Sequence, residues 1–253
     1  MNLLLTNDDG YDSKGIEILF KKLSEKHNVY IIAPDRNRSA VSNHISIFEN
    51  LKLEKVCERV WKYEGFPADC VSLGIFSDLI GTKMDAVISG INYGQNLGSD
   101  IIYSGTCAGA RQAVLAGIPG IALSLHPIDW EKAKVEGFKF DALTEFVCNN
   151  LEILISLCEL NSQRAFVNVN AGSFDFYKGA KITEKLCVRH YNEKIKVIND
   201  GNNLFTTYES SNGFTEKDEN SDNELVHQQY IAISRVYCDP ICNKIVDDVK
   251  FKL

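Results

Sequence analysis

The sequence predicts a three-layer α/β fold: a mostly parallel sheet between two helical layers, with a C-terminal hairpin or arm added to it. Three observations lead there. Short apolar runs alternate with helix-period patterns through the first two-thirds of the 253-residue chain, as strand–helix–strand units require. Pro and Gly stand where those elements should stop. After about Phe174 the pattern changes to irregular strand with charged interruptions, with no repeat and no second core. Residues 1–253 therefore read as one domain, with about 175–230 as an arm or loop excursion within it.

Leu3 to Thr6 is a short apolar run, hence a buried strand, and Ile16, Leu19, Phe20 and Leu23 follow at helical spacing. Val29 to Ala33 is a second strand, stopped by Pro34. Pro67 suits the first turn of a helix carrying Val71, Ile75, Phe76 and Leu79. Ala86 to Ser89 is a third strand. Gly105 to Leu115 is a small-residue helix, ended by Gly117 and Pro119, and Ile121 to Leu125 is the next strand. The clearest helix spans about Asp141 to Leu160, with Leu143, Phe146, Val147, Leu151, Leu154, Ile155 and Cys158 on one stripe. Phe166 to Val169 returns to strand. Lys181 to Val197 is irregular strand, Glu209 to Glu224 a polar, exposed loop with six acids and one Lys, and Tyr230 to Val236 a final strand.

Composition narrows the function. Hydrophobic content of 45 % and charged content of 24 % are those of a globular protein. A net charge of −7 excludes duplex nucleic acid held by summed charge, so an anionic ligand must be small and held locally. No signal peptide and no membrane-length apolar stretch is visible, which predicts a cytoplasmic chain with no membrane partner. The eight cysteines form no CxxC and no zinc spacing; Cys238 and Cys242 are the nearest pair. They read as free thiols in a reducing compartment.

Chemistry concentrates in four segments. Asn7-Asp8-Asp9-Gly10 follows the first strand. Ligands of doubly wound sheets bind beyond the carboxyl ends of the strands, and two adjacent carboxylates there repel unless a cation lies between them; hard oxygens suit Mg²⁺, Mn²⁺ or Ca²⁺. Pro34 to Asn43 follows the second strand, with Arg36 and Arg38 able to clamp phosphate and Ser39, Ser42 and Asn43 offering neutral polar groups. Ser89 to Gly98 follows the third strand, with Asn92 and Asn96 among three glycines that let a backbone approach a ligand. It is neither a P-loop nor GxGxxG. Tyr103-Ser104-Gly105-Thr106 opens the small-residue helix, where free N–H groups attract an anion and Ser104 also suits an N-cap. Each segment alone suits an ordinary turn, loop or cap. Together they gather at one edge of a parallel sheet.

These residues resemble the SurE survival-protein nucleotidases. The matching segments are Leu5–Gly10, Ala33–Ser39, Gly65–Val71, Ser89–Gly98 and Tyr103–Thr106, in family order and spacing across about residues 2–125; Val167-Asn168-Val169-Asn170 is a weaker echo. The resemblance implies a Rossmann-like, metal-dependent 5′/3′-nucleotidase acting on nucleoside monophosphates. It implies one divalent ion per subunit, Mg²⁺ or Mn²⁺, on Asp8, Asp9, Ser39 and Asn96. It implies phosphate contacts from Ser104, Gly105 and Thr106, with Asn43 and Asn92 nearby, and a homodimer or homotetramer built through the C-terminal arm. Asp8 and Asp9 are the catalytic residues of this reading: Asp9 as base toward water, or Asp8 as the direct nucleophile. Three positions depart from the family: Gln112 replaces a Glu, Ala40-Val41 replaces a Gly-containing pair, and the strand Tyr230–Val236 lacks a Thr-Pro ending.

Three other functions use the same residues. A nucleotide sensor would bind without turnover and without Asp8. An assembly protein would act through its arm alone. Another phosphate-transfer enzyme would use the paired Asp on a different substrate, since a fold does not dictate a function.

Overall fold

The computed structural model describes residues 1–209 and 213–240. In chain order the first half comprises β1 (Asn2–Thr6), α1 (Lys14–Leu23), β2 (Asn28–Pro34), β3 (Leu53–Cys57), β4 (Val60–Tyr63), α2 (Pro67–Phe76), β5 (Ala86–Tyr93), α3 (Gly105–Leu115) and β6 (Gly120–His126). The second half comprises α4 (Trp130–Glu136), α5 (Asp141–Ser156), β7 (Ala165–Gly172), β8 (Ala180–Ile182), β9 (Arg189–His190), β10 (Lys194–Asn199), β11 (Leu204–Glu209), β12 (Phe214–Thr215), α6 (Asp222–His227) and β13 (Ile231–Tyr237). A 3₁₀ turn, Gly98–Ile102, precedes α3.

Nine strands form one sheet in the order β3-β4-β2-β1-β5-β6-β7-β13-β8. The run from β4 to β7 is parallel; β3 and β13 pair antiparallel with β4 and β7. The Leu3-Leu4-Leu5 run explains the layering. Side chains alternate across a strand, so Leu3 and Leu5 enter one core with Ile16, Leu19 and Leu23 of α1 and Leu143, Val147 and Leu151 of α5. Leu4 enters the other, with Cys70 and Val71 of α2 and Ala113 of α3. A strand buried on both faces has no polar positions to show, which is why it reads as a continuous apolar run.

Several boundaries differ from the sequence expectation. β5 continues to Tyr93, past Ser89, because Asn92 and Tyr93 still pair with Ser124 and Leu125 of β6. The long helix stops at Ser156, not Leu160, and α2 stops at Phe76. β3, β4 and α4 carried too little periodicity to be predicted. Glu209–Glu224 is not simply a loop: β12 and the start of α6 lie within it. The described cysteines are all free thiols; Cys242 lies outside the described residues. No helix among the described residues is long and apolar enough to cross a membrane.

Asp222 is the acid that a polarity scan misplaces. It is fully buried. One carboxylate oxygen accepts the Gly98 N–H at 2.7 Å and the other accepts the Cys187 N–H at 2.8 Å. It therefore joins the turn before α3 to the segment before β9. Asp222→Ala leaves both buried donors without a partner, a loss of roughly 2–4 kcal/mol. The expected outcome is a fall in Tm of roughly 5–10 °C by calorimetry, with Asp222→Asn losing less; an unchanged Tm in the Ala variant would show that this clamp carries no stability.

Candidate active site

The carboxyl ends of β2, β1 and β5 are neighbours in the sheet, and their loops meet there. Asn7, fully buried, shapes the first. Its amide N–H₂ donates to the Gly10 carbonyl at 2.8 Å and to Ser13 Oγ at 2.7 Å, and its Oδ1 accepts the Gly10 N–H at 3.1 Å. The turn is thereby closed on itself, and Asp8 and Asp9 project from it. The Asp8 carbonyl accepts the Arg38 N–H at 2.6 Å, which laces the loop after β2 onto the loop after β1.

Asp8 is 3 % exposed. Its Oδ1 accepts the Thr106 hydroxyl at 2.5 Å. A Cβ on Gly105 would stand 2.9 Å from its Oδ2, so only glycine lets the start of α3 come this close. Burial pushes the Asp8 carboxyl above its ordinary pKa, opposed by the Thr106 hydroxyl and by main-chain N–H groups including those of Thr106 and Gly105. Asp9 accepts the Tyr93 N–H at 3.0 Å. Burial, and then the charge of Asp8, push its pKa up to about 7, with the Tyr93 N–H opposing. Two desolvated, mutually repelling carboxylates favour a bound cation or a bound proton.

The remaining predicted residues fall into two groups. Asp8, Ser39, Asn92, Asn96 and Ser104 line one open cleft of about 270 Å³, together with Tyr93, Gly94, Tyr103 and Trp130. Asn96 is held firmly: its N–H donates to Asn170 Oδ1 at 2.9 Å, its carbonyl accepts from Asn168 and Asn170, and its side-chain nitrogen donates to Ser124 at 2.7 Å. The nitrogen being used, Oδ1 is the atom left for a ligand. Ser104 caps α3, accepting the Cys107 N–H at 2.9 Å, while the Gly105 and Thr106 N–H groups before it face the Asp8 carboxylate. Asp9 stands beside the cleft through its bond to Tyr93. Gly105 and Thr106 lie behind Asp8, and the Thr106 hydroxyl is donated to that carboxylate. Asn43 is outside the cleft lining; its Oδ1 is 3.4 Å from Arg111 Nη1. Ser39 is exposed, its N–H donating to Asn37 Oδ1 at 2.9 Å.

The two arginines are not arranged as a phosphate clamp. Arg38 donates to the Glu64 carbonyl at 2.7 Å, pairs with Asp35 and lies over the Phe66 ring; Arg36 is largely exposed, 4.0 Å from Asp35. Gln112, at the family's Glu position, donates to Ser72 between α3 and α2. Ala40, in the pair where the resemblance implies a glycine, adopts φ 58, a left-handed conformation that costs a residue with a Cβ about 1–2 kcal/mol. Sequence reasoning missed Trp130 and Ser124, because neither belongs to a motif. Asn168 and Asn170 did show, as an Asn-rich strand end.

Among the described residues no three His, Cys, Asp or Glu side chains gather as a metal cluster. The donor set offered here is instead two carboxylates with neutral hydroxyl and amide oxygens, which suits a hard divalent cation. The family model described as survival protein SurE matches residues 3–193. The chain belongs to the SurE family. A relative named 5′-nucleotidase SurE from Treponema pallidum is 44 % identical over 183 residues, 71 % of this chain and 95 % of that protein. Another of that name, from Kosmotoga olearia, is 37 % identical over 249 residues, 94 % and 92 % of the two chains. The crystal structure of the SurE protein from Aquifex aeolicus superposes with a TM-score of 0.78 at 32 % identity and covers 94 % of each chain. The matched range, residues 3–193, includes the loops at the sheet edge where the buried carboxylates stand.

The Asp9 shift has a thermodynamic sign. Its pKa is raised on folding, so its protonated form is favoured in the native state. That stability is present below about pH 4 and lost as pH rises through about 7. In chelator-treated protein, Asp9→Asn is therefore expected to raise Tm at pH 8 by about 5 °C and to leave it nearly unchanged at pH 4. A gain of equal size at both pH values would mean that charge at Asp9 is not the cause.

Proposed function

We propose that this cleft hydrolyses the phosphomonoester of nucleoside 5′-monophosphates, and possession of a 3′-nucleotidase activity belongs to the same reading. Membership of a family whose relatives carry the name 5′-nucleotidase SurE makes the chain a nucleotide phosphatase, and the buried Asp8–Asp9 pair at the sheet edge is the observation that carries the chemistry. Asp8, Asp9, Ser39 and Asn96 would hold one divalent ion, Mg²⁺ or Mn²⁺. When bound, that ion supplies Lewis-acid stabilisation of phosphoryl charge.

The protein's own groups supply the rest. The start of α3 meets an anion with a partial positive charge of about half an elementary unit. Ser104 and Asn92 position phosphoryl oxygens from either side. Asp9, poised by its neighbour, accepts a proton from the attacking water. The water oxygen bonds to phosphorus, the P–O bond to the nucleoside breaks, and the leaving oxygen is protonated. Thr106 and Gly105 act through Asp8, fixing its position. Direct attack by Asp8 is the other route; its Thr106 bond and burial favour a fixed ligand over a nucleophile.

Phosphate release from AMP is expected to need added Mg²⁺ or Mn²⁺, to stop with chelator, and to fall at least ~10³-fold in Asp8→Asn, with the far-ultraviolet dichroism unchanged. Full turnover in chelator, or in Asp8→Asn, would refute the assignment. Unaltered metal-dependent turnover of another phosphomonoester with none of AMP would instead point to a different phosphatase.

The segment of about 175–230 is read as the arm of a single-domain chain that assembles as a homodimer or homotetramer. β10 and β11 pair as a hairpin, and Ile195, Val197, Leu204 and Tyr208 leave one of its faces apolar and exposed. Unpartnered faces of this kind mark contact surfaces. Light scattering should give an oligomer for the wild type and a smaller species for Ile195→Asp/Val197→Asp. A wild-type monomer would exclude assembly through the arm.

A further inference from the structure

The cleft is much larger than a phosphoryl group needs, and its chemistry is uneven. At one end stand Asp8, Ser104 and the start of α3. Elsewhere it is aromatic: Tyr93, Tyr103 and Trp130 line the same wall space. Tyr103 immediately precedes Ser104, so it belongs to the phosphoryl end, and its ring is already packed edge-on against Tyr191 at 5.7 Å. Trp130 is different. It is the first residue of α4 and comes from the loop after β6, on the side of the cleft away from the loop after β2. It is 46 % exposed, a large apolar surface at the mouth of a polar site.

The indole is braced without being covered. Phe138 packs against it at 6.0 Å and 70°, and Phe138 in turn meets Tyr93 at 5.0 Å and 80°. Its benzo edge lies over Gly94: a Cβ there would be 3.7 Å from Cη2 and 3.9 Å from Cζ2. Gly94, at φ 122, therefore keeps open the floor between the indole and Asn92. A rigid ring beside a phosphoryl site is suited to a flat aromatic group attached to a phosphate. Stacking of that kind tolerates any base, since every base has a π-face.

We propose that Trp130 is the stacking platform for the nucleobase, so that the cleft selects nucleotides over base-free phosphates. The proposal rests on the nucleotidase reading of the cleft and names the residue that recognises the nucleoside half. Trp130 is a binding residue here, with no part in proton transfer.

The chain has two tryptophans, and Trp61 is only 8 % exposed, inside the core around Leu4. Adenosine added to the metal-free wild-type enzyme should quench the emission of Trp130 and leave that of Trp61. In Trp130→Ala the remaining emission should not respond. In kinetics with Mg²⁺, Trp130→Ala should raise KM for AMP about ten-fold with kcat within about two-fold. The inhibition constant of inorganic phosphate, which occupies only the phosphoryl end, should stay unchanged, and Trp130→Phe should recover most of the loss. No quenching by adenosine in the wild type, or equal weakening of AMP and phosphate in Trp130→Ala, would overturn the proposal. Failure of the wild type to hydrolyse AMP while adenosine still quenches Trp130 would overturn the nucleotidase reading and leave the base site standing.

Discussion

The molecule is organised around an unfavourable interaction: two adjacent carboxylates, both largely out of water, at the carboxyl end of β1. Coulomb repulsion and desolvation act in the same direction on them, so their placement costs stability until a cation or proton arrives. The surroundings are built to hold that arrangement. Asn7 closes the turn through three hydrogen bonds. Thr106 spends its only hydroxyl proton on Asp8, and Gly105 is glycine because the carboxylate occupies the space a Cβ would take. Stability is given up at the site and recovered in the two apolar layers that flank β1, as is general where function requires strain.

A parallel sheet makes such a site economical in sequence. Each strand ends on the same edge, so loops distant in the chain become neighbours without dedicated connections. The side chains still need aiming, and here that is done by buried amides. Asn168 and Asn170 of β7 reach across to the main chain of Asn96, while Ser124 of β6 takes its side-chain nitrogen. Two strands thus fix one amide oxygen. Buried hydrogen-bond networks of this type rigidify the groups they hold.

The chain after β8 also reaches the cleft. Arg189 of β9 pairs with Asp100 at 3.0 Å, and Tyr191 donates to the same carboxylate at 2.6 Å; Asp100 and its neighbour Tyr103 both line the cleft. With Asp222 clamping Gly98 to Cys187, the 3₁₀ turn that leads into α3 is braced from outside the central sheet. These contacts from β9 and α6 therefore contribute to the shape of the cleft rim.

What was legible in the sequence was whatever repeats at short range. Continuous apolar runs marked β1, β2 and β5, the stripe from Leu143 to Leu154 marked α5, and Asp8, Asp9, Ser39, Asn92, Asn96 and Ser104 stood out because their loops follow successive strands or open a helix and so gather at one edge of a parallel sheet. Periodicity and local turn chemistry are properties of neighbouring residues, so the chain alone displays them. Only the tertiary structure decided which polar groups face the cleft and which brace it. Thr106 turned inward to Asp8, Arg38 to Glu64 and Phe66, and Asn43 lay beside Arg111, while Asp222, in a stretch that reads as solvated loop, became a fully buried clamp. Trp130 carried no motif and joined the site through the crossover from β6. Those roles depend on partners tens of residues away, and a side chain's partner is set by packing that no local pattern encodes.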